Sequence, residues 1–600
     1  MLDYCLDVFE KKYKELGESL ILDKYELDYG LYLLVNKDSG EIEDHIIVTK
    51  ENKLDRKLQE KFIKLDYLSG WMSANKAVSI KAKSIQSNNY LSFWIKAEGI
   101  IPSPKTKEIS FKMDDDIDIY YDALANIEAS MNKDSKTKEL YEVIKKDVGE
   151  IDKESLEKCR SWVKLNLMGL NEKYNLTKKC KFIKIFFSDS VEKYEKESKR
   201  YVYPRVFNSN KYNVNIDGTI YGIHDFNMGL NSKKPSLLMS GRNTDKPMYV
   251  SIDKANLIKK FFDYLKCLVR GSERENNLYI SDELIPVKDD ELLRSNFSGM
   301  YLRLRIEKNE AEIVDCTIVS RYSPKISIDV QEIIKVHENV DRKNPLIYGE
   351  ITNLTDVRRT IDTVFYGGHL SRNLYSKLED IKSSKMKPFL KNEIILTKQA
   401  YADWFYKCDK NEIKSIFEDR TLNIIAEYIY QGYISRAKEQ FNLRVAIIKY
   451  LKGENFMGEN TYESIYNELR ANIKEGKTGF KDDKTYYFIM GQVAYYLLDK
   501  SNSNKKDMSE LRTLDCRTSE NLKQRIVGLF DKYSFAINRK DREFKNLMAS
   551  VLGYVPISNK VDKESFYAGY LYSNLIIDIK VENSKNKENN KQNTGGNKDE

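Results

Sequence analysis

Six hundred residues exceed what one hydrophobic core holds, so the chain should fold as roughly two or three domains. It is 41% hydrophobic and 12% aromatic, enough for globular cores, but no apolar run approaches the roughly 18 residues of a membrane span. One hundred basic residues against 92 acidic leave a charge of only +8, which excludes a uniformly basic body; nucleic-acid contact would need local patches. The first residues carry Asp3 and Asp7 where a secretion signal carries basic residues, so a cytoplasmic chain is expected. The seven cysteines (Cys5, Cys159, Cys180, Cys267, Cys316, Cys408, Cys516) are scattered. The paired-thiolate spacing of a zinc site is missing, and a sparse, odd set fits a reducing compartment.

Leu6, Phe9, Tyr13 and Leu16 recur at helical spacing and predict an opening helix within 1–20. Leu31 to Val35 and His45 to Val48 flank Lys37-Asp38-Ser39-Gly40, the pattern of a β-hairpin. The stretch 66–96 then holds Asn75, Lys76, Lys81, Lys83, Asn88, Asn89 and Tyr90 ahead of the apolar run Leu91 to Ile95. Cations, amides and an aromatic before a strand suit contact with a nucleic-acid backbone and bases; an ordinary loop before a strand would read the same way.

Asp114, Asp115 and Asp116 could hold Mg²⁺ if they converged. Being consecutive, their side chains diverge, and acids opening a helix are the simpler reading. Phe182 to Phe187 predicts a buried strand. In the following segment, Lys199 and Arg200 stand beside Tyr201 and Tyr203, a pairing that can stack bases but is weak on its own among 41 tyrosines.

The segment Asn227 to Pro247 fits neither helical nor strand period. Gly229 and Gly241 permit close approach to the main chain, and Pro235 and Pro247 stiffen it. Asn227, Asn231 and Asn243 offer amides; Lys233, Lys234, Arg242 and Lys246 offer charge. That mixture suits phosphates, sugars and bases, although it also describes a solvated loop.

Residues 255–269 carry Leu257, Ile258, Phe261, Phe262, Leu265 and Val269 on one face and predict an amphipathic helix. Leu302, Leu304 and Ile306 alternate with Arg303 and Arg305 and precede Ile313 to Val319, a second hairpin with arginines outward. Tyr366-Gly367-Gly368-His369 lacks the spacing of a phosphate loop. The Lys-rich stretch 376–392 marks a domain boundary, and from about 393 to 576 long amphipathic runs predict a helical bundle. Gly491 and Gly569 lie in two similar segments, 488–491 and 566–569, and predict close helix crossings. Between those segments, Arg512, Arg517, Lys523, Arg525, Arg539, Lys540, Arg542 and Lys545 form either a solvated mixed-charge face or a nucleic-acid stripe. The expected fold is thus α+β: a mixed region with several hairpins over 1–385, a helical bundle over 386–580, and a disordered polar tail over 581–600.

Catalytic patterns are missing. His45, His224, His337 and His369 are far apart, and His224-Asp225 is not followed by further histidines in register. No metalloprotease, hydrolase-elbow, Walker or Rossmann pattern occurs. The reading is therefore of a protein without catalytic residues, metal or cofactor, with a metal-dependent nuclease built on Asp114–Asp116 and a purely structural scaffold as rivals.

Several of these strings, in order, resemble one family. Phe186-Phe187-Ser188-Asp189, Tyr194-Glu195-Lys196-Glu197, Arg200-Tyr201, Tyr212-Asn213-Val214, Asn227 through Pro235 and Arg242-Asn243-Thr244 look like the large subunit of type I-B CRISPR Cascade complexes. Asn75-Lys76, Ser87-Asn88-Asn89-Tyr90 and Tyr366 through His369 are similar to that family as well. The likeness spans roughly residues 1–580, and the 227–235 string is its most specific part. It implies a non-catalytic subunit that reads the motif flanking a double-stranded DNA target, contacts the 5′ handle of the guide CRISPR RNA, helps open the duplex and recruits a helicase–nuclease. Its partners would include the backbone and handle-binding subunits, with no membrane. The C-terminal region resembles that family's small-subunit-like bundle. Some relatives carry zinc-suited cysteine pairs; this chain has none, so no metal is implied. On this resemblance Lys233, Lys234 and Arg242 would touch backbone, and Asn227 and Asn231 would read a base edge or the handle.

Overall fold

The computed structural model describes residues 2–582 except 52–53, 102–110, 128–134, 177–178, 226–248, 272–273, 308–309, 337–343, 383, 385, 454–460, 478, 502–507 and 539–540. The fold is α+β, with strands concentrated in the N-terminal half and helices dominating the C-terminal region. Among the described residues no helix is long and apolar enough to cross a membrane. Two compact units form: 1–289 with 299–318, and 290–298 with 319–600.

The first unit is built on β1 (Gly30–Val35), β2 (Ile42–Val48), β3 (Ser92–Lys96) and β4 (Phe182–Phe187), in the order β2-β1-β4-β3. The expected first hairpin is β1 and β2, and the Phe182–Phe187 run is β4, parallel to β1 and antiparallel to β3. The two central strands are buried along almost their whole length, which is why they read as continuous apolar runs rather than as alternation. Residues of helices Arg56–Ser69, Met113–Ala125, Lys153–Asn166 and Val191–Val202 share the core with them. Side-chain caps fix where three of these helices begin: Asp55 accepts from Lys57 N, Asp152 from Ser155 N and Ser190 from Lys193 N. The 113–125 helix opens on Asp114, Asp115 and Asp116, where acids favour the helix dipole.

Continuing along the chain, β5 (Val214–Ile216), β6 (Thr219–Gly222) and β7 (Val250–Ser251) form a three-stranded sheet, and helix Ile252–Val269 follows directly. Then β8 (Asn277–Ile280), β9 (Leu284–Val287), β10 (Phe297–Glu307) and β11 (Glu310–Tyr322) pair in the order β11-β10-β8-β9. The hairpin expected around Arg303 and Arg305 is β10–β11. Its arginines are not open cations: Arg303 holds Asn277 Oδ1 at 2.9 Å and Asp289 Oδ2 at 3.1 Å, and Arg305 Nε holds Glu312 at 2.9 Å.

The second unit begins earlier than the boundary at 385 that the Lys-rich stretch suggests. Strands β12 (Lys325–Val330) and β13 (Gly349–Asn353) and helix Leu354–Tyr366 belong with the helices that follow. The reason is a row of buried polar side chains on helix Ile434–Lys452. Asn442 accepts from Ile334 N at 2.9 Å and donates to Ile334 O at 3.0 Å; Gln440 donates to Val364 O at 2.9 Å; Glu439 accepts from Leu346 N at 3.1 Å. Buried main-chain groups between 334 and 364 thus find their partners on that helix. Gly367 and Gly368 (φ 60° and 81°) end the 354–366 helix in a left-handed turn, and Asp362 takes Leu370 N and Ser371 N. This Gly-Gly-His string is a helix terminus.

Candidate nucleic-acid interface

Two stretches singled out in the sequence meet in the first unit. The segment 226–248 leaves β6 and returns at β7, and these strands pair antiparallel through Tyr221–Ser251 and Gly222–Val250. Both of its roots therefore lie on adjacent strands. Gly222 is required there: a Cβ would fall 2.4 Å from Asn213 Oδ1 and 2.6 Å from the Phe207 ring. Beyond β6, Phe207 bridges to His224, and Asn208 N donates to Ile223 O at 2.8 Å.

At that root stands Asp225. It accepts from Asn208 Nδ2 at 2.8 Å and pairs with Lys76 Nζ at 2.9 Å. Lys76 also donates to the carbonyls of Phe207 (2.8 Å) and Arg205. Its carbonyl accepts the Tyr201 hydroxyl, which in turn accepts from Met72 N. Lys76 is thus tied to Asp225, Phe207, Arg205 and Tyr201 by polar contacts. Burial holds the Lys76 ammonium below the usual lysine range, with Asp225 opposing the shift. Lys76 is a structural cation rather than an open phosphate contact. Asn75 beside it is exposed, as are Lys81 and Lys83.

Asn88 and Asn89 require correction. They are 2% and 1% exposed. Asn88 donates to Leu68 O and Gly70 O at 2.9 Å each; Asn89 donates to Ser69 Oγ at 3.3 Å and Asn88 Oδ1 at 2.7 Å. They tie the end of helix 56–69 to the approach to β3, so they do not face a nucleic acid. Arg200 is likewise internal: it grips Glu197 and the carbonyls of Val148 and Gly149. Lys199 pairs with Asp147.

Asn227, Asn231, Lys233, Lys234 and Arg242 lie outside the described residues, as does Arg539. In the second unit Arg525 is exposed and donates to Thr513 O, while Arg542 is exposed in the first turn of helix Arg542–Gly553. Asp225 and Asn208, which organise the junction, carry no local signal; only the pairing of distant segments reveals them. Among the described residues no group of three or more His, Cys, Asp and Glu side chains could hold a metal ion.

The two kinds of lysine should separate by experiment. Lys76→Met leaves Asp225 and two carbonyls without their donor and should lower stability by about 2–3 kcal/mol. Lys81→Ala and Lys83→Ala should leave stability within about 0.5 kcal/mol. If either touches phosphate, it should reduce the salt slope of nucleic-acid binding by about 1. Urea unfolding and salt-dependent binding of the three variants check this.

Comparison of the chain with protein-family models, curated proteins and solved structures finds no match in any of the three.

Proposed function

We propose that this chain is the non-catalytic large subunit of a type I-B CRISPR Cascade complex. In this reading it recognises the motif flanking a DNA target, contacts the 5′ handle of the guide RNA, assists duplex opening and receives a helicase–nuclease. The observation that supports it most is the Lys76–Asp225 contact. Lys76, in the Asn75-Lys76 string that carries the resemblance, pairs with Asp225, two positions before the 227–235 string. In this reading the exposed Asn75, Lys81 and Lys83 act with residues 227–235, phosphate contacts setting register and amides reading base edges. The modest net charge fits a subunit whose neighbours carry most of the RNA. Guide pairing would read the target while this chain reads the flank.

Within this reading Lys233, Lys234 and Arg242 meet backbone, Asn227 and Asn231 meet base edges or the handle, and Arg525, Arg539 and Arg542 line a separate nucleic-acid path on the helical unit. The test is alanine substitution at Asn227, Asn231, Lys233 and Lys234, followed by binding of the assembled complex to duplexes with varied flanks. A lysine on phosphate should weaken all flanks alike; an asparagine on a base should lose about 1–3 kcal/mol of discrimination at one position. No change from any of the four would remove the 226–248 segment from the interface.

A further inference from the structure

The helical unit contains a cavity of about 850 Å³ between helices Asn411–Tyr430 and Ile434–Lys452, the turn 516–517 and the loop 558–564. Its volume lies in the range of sites for small organic ligands. Its wall carries many charged side chains, which divide into two classes. Most of the acids are already engaged. Glu418 pairs with Lys452. Asp483 accepts Ile557 N and Ser558 N, both at 2.9 Å. Asp562 caps the helix Lys563–Leu571 through Ser565. Glu564 holds Arg444 at 2.7 Å and the Tyr462 hydroxyl at 3.1 Å.

Most of the wall's other cations are not so engaged. Arg517 and Lys560 are exposed, and neither side chain has a partner among the described residues. Arg420 has only a loose approach to Glu393, at 3.9 Å. Arg444 is 1% exposed, and its Nε donor has no acceptor among the described residues. Arg517 and Lys560 are brought together by a short antiparallel bridge: Thr518 pairs with Lys560, Val561 N donates to Arg517 O at 3.2 Å, and Ser519 N donates to Asn559 O at 2.8 Å. Helices Ser519–Tyr533 and Lys563–Leu571 both start at this bridge. Their N-terminal dipoles add to the positive potential there. Asp419, which has no partner among the described residues, lines the cavity from helix Asn411–Tyr430, together with Arg420 and Asn423.

Arg517 and Lys560 at the bridge and Asp419 on helix Asn411–Tyr430 match a ligand that is strongly anionic at one end and hydroxyl- or amine-bearing at the other. We infer that this cavity binds a nucleoside di- or triphosphate, with its phosphates on Arg517 and Lys560 and its sugar or base toward Asp419. This site does not rest on the Cascade reading; either can fail alone.

The experiment is calorimetric titration of the full chain with adenosine and guanosine triphosphate, with pyrophosphate, and with a short thymidine oligonucleotide. Binding of at least one triphosphate with a Kd below about 1 mM is expected, with pyrophosphate competing. The double variant R517A/K560A should weaken it on the order of tenfold or more, whereas Arg517→Lys should keep most of it. Asp419→Ala should weaken the nucleotide but not pyrophosphate. Both cations are exposed, so an unchanged thermal midpoint will show that the double variant is folded. The inference is overturned if no triphosphate binds, if R517A/K560A binds as the parent does, or if only the oligonucleotide depends on these two residues.

Discussion

Gly491→Ala is expected to destabilise the helical unit by about 3 kcal/mol, at the upper end for an overfilled core, and Gly569→Ala by a similar amount. Helices Asp483–Leu498 and Lys563–Leu571 cross at these two glycines. A Cβ on residue 491 would lie 2.1 Å from Phe566 O and 2.6 Å from Tyr570 N; one on residue 569 would lie 1.9 Å from Phe488 O. Every one of these atoms is main chain, so no rotamer change can relieve the overlap and the helices themselves must separate. Gln492 resists that separation. Its amide donates to Gly569 O at 2.6 Å and Ser573 O at 3.0 Å, and its oxygen accepts from Leu575 N at 2.8 Å. Moving the helices would break buried hydrogen bonds as well as packing. Gly528, inside helix Ser519–Tyr533, is the control: a Cβ there meets nothing within 4 Å. Gly528→Ala should stabilise by about 0.5–1 kcal/mol through helix propensity. Urea unfolding followed by circular dichroism compares all three. A Gly491→Ala midpoint equal to the parent's would refute the close crossing.

Lys184→Met should cost about 3–5 kcal/mol in the first unit, the range for removing one member of a buried ion pair. Lys184 sits in the central strand β4 and is 1% exposed. Its ammonium lies 2.7 Å from Asp66 Oδ1, 3.1 Å from Asp28 Oδ2 and 4.0 Å from the centroid of the Trp94 ring. Asp66 is also buried, and the Tyr25 hydroxyl donates to its other oxygen at 2.9 Å. Asp28 additionally pairs with Arg270. Methionine fills the same space but leaves the Asp66 carboxylate without its cation.

The pH dependence of that variant follows from Asp66. Burial raises its carboxyl above the usual range even with Lys184 in place. A raised carboxyl favours the folded state below the ordinary carboxylate pKa and loses that contribution as pH rises through the raised value. Without the lysine the carboxyl rises further. The deficit of Lys184→Met should therefore be largest near about pH 8 and shrink toward about pH 5, where Asp66 takes up a proton in the folded chain. A deficit that stays constant or grows on acidification would contradict this account. Asp28 moves the opposite way: Lys184 and Arg270 outweigh its burial and hold it low, so its contribution is lost only in stronger acid.

What could be read from the sequence is what local pattern determines. The β1–β2 hairpin, the β4 run, the helix opening on Asp114–Asp116 and the Gly491/Gly569 crossing each follow from patterns local to the elements involved. The failures share a physical cause. Asn88, Asn89, Lys76 and Arg200 have the composition of a contact surface, but Asn88, Lys76 and Arg200 satisfy main-chain groups of Leu68 and Gly70, Phe207 and Val148, and Asn89 bonds the Ser69 and Asn88 side chains. Whether a polar side chain faces solvent or a buried carbonyl is settled by packing, and neither spacing nor composition encodes it. The same holds for the boundary between the units. The Lys-rich stretch 376–392 looks like a linker, yet Gln440 and Asn442 attach the preceding hairpin and helix to the bundle. The cation cluster of Arg420, Arg517 and Lys560 is scattered over 140 positions (560 − 420) and is visible only once the bundle is folded.

We propose that this chain supplies flank recognition to an RNA-guided complex. The most direct test of that claim is binding of the reconstituted guide complex, with and without this chain, to matched target duplexes whose flanking bases are randomised, at one fixed salt concentration. A flank preference that appears only when the chain is present is the expected result. The same preference in its absence would contradict the claim and leave a scaffold subunit as the better account.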